Sequence, residues 1–187
     1  MKKGLELKSY VSNYIPELGY LTKEEIEFLP IDHPLAEIAA QKVLDYEENE
    51  YFPGYVKITY DQQSILSDQY ETGDLLETWA DLSYIVKDQA AQDEYTITLL
   101  DYPSDVFVLK KDQDHQFYFE IKDLLFSNKV TRSPSIPKEE LLDSIFKGYR
   151  DFIDFCKRES LIFSKDTLYD SSIKKLNTIS NMKKSKE

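Results

Sequence analysis

Glu120-Ile121-Lys122 closes the apolar run QFYFE, and an aspartate stands 15 or 19 residues earlier, at Asp105 or Asp101. Carboxylates at such positions suit a hard divalent cation such as Mg²⁺, and a lysine two residues on can steady an attacking water or a developing negative charge. Glu77 is a further candidate oxygen ligand. Asp112, Asp114, Gln116 and Asp123 imitate positions 1, 3, 5 and 12 of a calcium loop, but Phe117 occupies the place where glycine makes the sharp turn. A polar hairpin turn is the expectation there. His33 and His115 are 82 residues apart and have no HxH or HExxH partner, so both read as surface residues. Cys156 falls on the apolar face of a helix, the setting of a small buried hydrophobe and not of a nucleophile. Ser171 with Lys174, and Ser180 with Lys183, match SxxK without the companion motifs of that chemistry. The five glycines are scattered, which argues against a phosphate-cradling loop. No metal or other cofactor is expected.

Charge gives a second kind of candidate. Residues 45 to 105 carry 15 Asp and Glu against two lysines, so this third of the chain holds the whole formal net charge of −12. The same stretch holds eight tyrosines, at 46, 51, 55, 60, 70, 84, 95 and 102. Tyrosine offers large, rigid contact area at low entropy cost, and clustered carboxylates steer a basic partner toward it. The last seventeen residues add five lysines against one glutamate and read as a frayed basic tail that could begin as a helix.

The elements that would position these residues alternate between helix and strand patterns. Thr22 and Glu25 stand in capping-box spacing before a short helix TKEEIEFL, which Pro30 ends. PLAEIAAQKVLDYEE reads as a helix with Leu35, Ile38, Ala39, Lys42 and Val43 at helical spacing. YVKITY alternates as a strand with one buried face. Asp74 then caps LLETWADLSYIVKD, whose inward stripe is Leu75, Trp79, Leu82 and Val86. Roughly 200° round the same helix lie Glu77, Asp81, Tyr84 and Asp88, an almost purely acidic stripe and the candidate partner-binding residues. Together with the loops around 45 to 50 and 61 to 74, it makes a candidate surface. EYTITLLD, DVFVLK and QFYFEIK follow as an antiparallel meander. Pro134 and Pro137 precede a helix of about 22 residues starting near Lys138, with Leu141, Leu142, Ile145, Tyr149, Phe152, Ile153 and Cys156 inward.

The expected fold class is α+β, an antiparallel sheet of about four strands with helices packed on one face. Residues 1–50 are expected as an N-terminal helical segment, 51–163 as the core domain and 164–187 as the basic helix or tail. With 41% hydrophobic residues, 14 tyrosines and 10 phenylalanines, the chain can build a core. MKKGLELKSY has no apolar run after its lysines, and no stretch reaches about 18 apolar residues. With one cysteine, the expected location is cytoplasmic.

Two resemblances bear on function. The Asp-to-Glu120-x-Lys122 spacing resembles the metal-dependent nucleases marked by an Asp followed later by (D/E)xK, which implies Mg²⁺-dependent cleavage of nucleic acid. That signature has three fixed positions, which a chain with 31% charged residues meets by chance, and a polyanion wants a basic groove where this segment is acidic. From Tyr51 to Leu161 the chain is similar to the small acidic bacterial immunity proteins that accompany polymorphic toxins. The likeness runs through a strand ending ITY, the LLETWADL helix, the TITLLD strand, two further strands and a helix opening PKEELLDSI. It implies a non-enzymatic antitoxin whose partner is a basic protein, the cognate toxin, bound without nucleic acid or membrane. Imitation of nucleic-acid phosphates by the acidic helix, or a structural role in which acidity only maintains solubility, are the other expectations.

Overall fold

The computed structural model describes residues 4–99, 105–113, 115–123 and 130–185. In chain order the elements are β1 (Leu5–Ser12), β2 (Tyr14–Ile15), β3 (Gly19–Tyr20), β4 (Phe28–Pro30), α1 (Ala36–Tyr46), β5 (Gly54–Tyr60) and β6 (Gln63–Leu66). They continue with α2 (Leu75–Lys87), β7 (Glu94–Ile97), β8 (Asp105–Lys111), β9 (Gln116–Asp123), β10 (Val130–Arg132), β11 (Ile136–Pro137), α3 (Lys138–Cys156) and α4 (Tyr169–Lys184). The fold is α+β with antiparallel sheets.

The strands form two main sheets where the sequence pattern suggests one. The first has the order β4-β1-β5-β6, and the second β10-β9-β8-β7 with β11 also on β9. In the first, Leu7 faces Ile58 and Ser9 faces Val56, all buried, while Tyr10 faces Tyr55 and Lys8 faces Lys57 on the other side of the pleat. This is the period-two alternation expected for YVKITY. In the second sheet Phe107, Leu109, Phe117, Phe119 and Ile121 are buried, with Phe107 and Phe119 stacked at 5.4 Å.

Residues 5–30 depart most from the sequence reading. The segment expected as helical instead supplies β1, the inner strand between β4 and β5, so it is built into the first sheet. TKEEIEFL is not a helix, because another residue takes its backbone acceptors. Buried Asn13 donates through Nδ2 to the carbonyls of Glu24 and Ile26, both at 2.8 Å, and its N–H donates to Glu27 O at 2.6 Å. Thr22 Oγ1 accepts from Glu24 N–H, and Leu29 is then free to pair with Val11 and bury completely. Tertiary hydrogen bonding here overrides a weak helical pattern.

The helices fall closer to expectation. Asp74 caps α2, accepting the Leu76 N–H at 2.9 Å, and Leu75, Trp79, Leu82 and Val86 are at most 1% exposed. The inward stripe of α3 is buried throughout, from Leu141 to Cys156. In α1 the buried face is Ala36, Ala39, Ala40, Val43 and Leu44, and Ile38, expected inward, is 45% exposed. The basic tail is not frayed over α4. Ser172, Leu176 and Ile179 bury against α2 and α3, Tyr149 Oη donates to Ser172 O at 2.8 Å, and Lys175 Nζ donates to Ala80 O at 3.0 Å. Both SxxK serines of this helix donate to carbonyls of their own chain segment, Leu168 and Leu176.

Candidate functional site

On α2 the four acidic-stripe residues have different fates. The helix is enclosed by α3, α4, β5 and β7, so its second side is not an open acidic face. Asp81 Oδ2 accepts the Thr98 N–H at 2.8 Å, and Asp88 Oδ2 accepts the Tyr95 hydroxyl at 2.6 Å. These two carboxylates tie α2 to β7 and the residues after it. Tyr84 is 45% exposed, stands edge-on to Tyr95, and accepts from Gln92. Glu77 lines an open hollow at the start of the helix.

That hollow, about 390 Å³, is lined by Glu50, Tyr51, Asp74, Glu77, Asp166, Thr167 and Leu168. A second of about 380 Å³ is lined by residues that include Tyr14, Glu17, Phe28, Tyr46, Glu47 and Glu71. Segments 47–53 and 71–74 contribute residues to each, so the two hollows are neighbours. Among the described residues seven carboxylates line the two hollows and no lysine or arginine does. Tyr14, Tyr46 and Tyr51 in their walls, and Tyr20 edge-on to Tyr14, are 38 to 50% exposed. The loop that carries Glu47 and Glu50 is held in shape: Asn49 N–H donates to Leu44 O at 2.7 Å, and Asn49 O accepts the Ser164 N–H at 2.9 Å. Tyr46 Oη donates to Glu17 at 3.1 Å, which pushes the phenol pKa up.

Asp74 lies beneath the first hollow at 8% exposure. Burial pushes its carboxyl up to about 6, against the pull of the Leu76 N–H, and Glu77 adds to the rise. A folded-state pKa above the ordinary 3.8 means that stability is lost as pH rises from there through about 6. Asp74→Asn keeps a capping oxygen and removes the buried charge. We expect it to match the parent near pH 4 and to exceed it by about 1–2 kcal/mol at pH 8 in urea unfolding. A difference independent of pH would contradict this role.

Glu120 presents the opposite arrangement. It is completely buried in β9, on the side of the strand that alternates with Phe119 and Ile121. Oε2 accepts from Arg132 Nε of β10 at 2.6 Å, and Oε1 lies 3.1 Å from Lys110 Nζ of β8 and 3.2 Å from Lys122 Nζ. Burial acts to raise the Glu120 pKa, but hydrogen bonds from Lys110, Arg132 and Lys122 together outweigh it and hold the carboxyl at about 2. Glu120 and Lys122, singled out in the sequence for metal chemistry, thus belong to one ion-pair network. In backbone register Asp105 stands opposite Asp123, and Glu120 opposite Val108 and Arg132. Asp101 and Asp114 lie outside the described residues. Among the described residues no three His, Cys, Asp or Glu side chains are placed to hold a metal ion. His33 Nδ1 accepts the Leu35 N–H ahead of α1, and Asp112, Gln113 and Gln116 make the β8–β9 hairpin turn through backbone hydrogen bonds. Burial, with Asp74 adding, pushes the Cys156 thiol pKa up.

Comparison with protein-family models, with curated proteins and with solved structures gives no match. Among the described residues no helix is long and apolar enough to cross a membrane.

Sequence reasoning reached Glu77 and the acidic loops around 45 to 50, but not Tyr14 of β2, Phe28 of β4 and Glu17 of the turn between β2 and β3. It found Glu120 and Lys122 and missed Lys110 and Arg132. The available signal was parity: Lys110 lies two residues from Val108, which the hairpin register sets opposite Glu120.

Proposed function

We propose that this chain is a protein-binding antitoxin, an immunity protein that covers a basic surface of its cognate toxin. The observation that carries the reading is the pair of neighbouring hollows lined, among the described residues, by seven carboxylates and no cation, with the exposed rings of Tyr14, Tyr46 and Tyr51 in their walls. A basic partner is drawn in by the carboxylates and held by tyrosine contact area. Glu77 is the one acidic-stripe residue that belongs to this surface, and Tyr84 offers an exposed ring further along α2. Asp81 and Asp88 serve the partner surface indirectly, by fixing α2 on β7.

The test uses the full chain and the purified product of the adjacent reading frame, where an immunity protein's toxin is encoded. Glu47→Lys, Glu50→Lys and Glu77→Lys combined are expected to weaken binding at least 100-fold, chiefly through slower association, and to abolish its salt dependence. Binding as tight as the parent's would sink the proposal.

A further inference from the structure

The outer side of the second sheet carries a cationic array on a chain of net charge −12. Lys110, Lys122 and Arg132 come from three successive strands and converge on one carboxylate, Glu120. The carboxylate is sunk beneath them: its side chain is 1% exposed, those of the cations 22%, 37% and 63%. Solvent therefore meets the positive groups first. Arg132 is fixed in two ways, by the Nε contact to Glu120 at 2.6 Å and by its guanidinium lying over the Tyr118 ring at 5.3 Å. Neither contact takes a hydrogen bond from the two Nη groups. Lys110 also meets Glu94 at 3.3 Å and the Asp112 carboxylate acts on Arg132, so among the described residues Lys122 is the cation that meets Glu120 alone.

A cross-strand brace needs one cation for one buried carboxylate; three held in a rigid array match an external ligand with several charged oxygens. A phosphoryl group bears about −1.5 to −2 charges and three acceptor oxygens, whereas a carboxylate bears one charge and two oxygens. We propose that Lys122 and Arg132, with Lys110 beside them, form a binding site for a phosphoryl group. Glu120 is a positioning residue there, holding the cations in place without touching the ligand. The site is independent of the acidic surface and does not rest on the antitoxin reading.

The experiment is a titration of the ¹⁵N-labelled full chain with inorganic phosphate at constant ionic strength, followed by amide and side-chain shifts. Saturable shifts confined to β8, β9 and β10 are expected, and pyrophosphate should bind more tightly. Arg132→Gln and Lys122→Gln should each weaken binding at least tenfold. Arg132→Lys keeps the charge over Glu120 and should fold normally, yet still weaken binding severalfold because it lacks the planar fork. Phosphoserine and a nucleoside 5′-monophosphate, run in parallel, identify the carrier: equal binding assigns the site to the phosphoryl group alone, and a preference names its source. Shifts that do not saturate, or that chloride reproduces, would overturn the proposal, as would unchanged affinity in Arg132→Gln and Lys122→Gln.

Discussion

Replacing Glu120 by glutamine is expected to cost about 2–4 kcal/mol at pH 7, a large part of the stability of a single domain. The side chain keeps its shape, so the loss is electrostatic. Lys110, Lys122 and Arg132 remain beside one another with no carboxylate between them, and the neutral amide cannot repay the desolvation of the site. The cost falls below that of a fully buried pair because the cations are partly solvated. The pH dependence fixes the cause. Glu120 titrates at about 2 when folded and near 4.5 when not, so its contribution is complete above about 4.5 and disappears as pH falls toward 2. Urea unfolding of parent and Glu120→Gln should therefore diverge at pH 7 and converge near pH 2. A constant difference over that range would point to altered packing.

Trp79→Ala is expected to destabilise by about 3–5 kcal/mol, enough to leave the chain partly unfolded at 37 °C. Trp79 is the single tryptophan and is fully buried. Its ring lies against Phe152 at 5.9 Å and Tyr149 at 6.0 Å, and Nε1 donates to Ser9 Oγ of β1 at 2.8 Å. The fit depends on Gly148: a Cβ there would stand 2.7 Å from the indole Cη2 and 3.1 Å from Leu7 O. The indole thus joins α2, α3 and the first sheet, and alanine leaves a cavity that rigid neighbours on three sides cannot fill. Circular dichroism during urea unfolding measures the loss, because the variant has no tryptophan fluorescence. Ser9→Ala separates the polar contribution: about 1–3 kcal/mol is expected for the unpaired buried N–H alone. A loss below about 1 kcal/mol for Trp79→Ala would mean that α2 and α3 do not depend on this contact.

The α2 stripe of Leu75, Trp79, Leu82 and Val86, the Asp74 cap, the α3 stripe and the β7 to β9 meander were all legible in the chain. Each depends on residues a few positions apart, where helical or strand periodicity alone decides which side is buried. The long-range partners were not. Ser9 lies 70 residues from the indole it accepts from, and Arg132 lies 12 from the carboxylate it pairs with, across a strand boundary. Local pattern could not tell that Asn13 would take the carbonyls of Glu24 and Ile26 and convert a capping-box helix into an edge strand. It could not tell that three modest anchors would suffice to dock α4. For the candidate surface the sequence by itself determined the ingredients, an acidic, tyrosine-rich middle third. Only the tertiary structure decided that Asp81 and Asp88 are spent on internal hydrogen bonds while Glu77 joins Glu47, Glu50 and the tyrosines, because hydrogen-bond partners are set by chain packing and not by spacing along one helix.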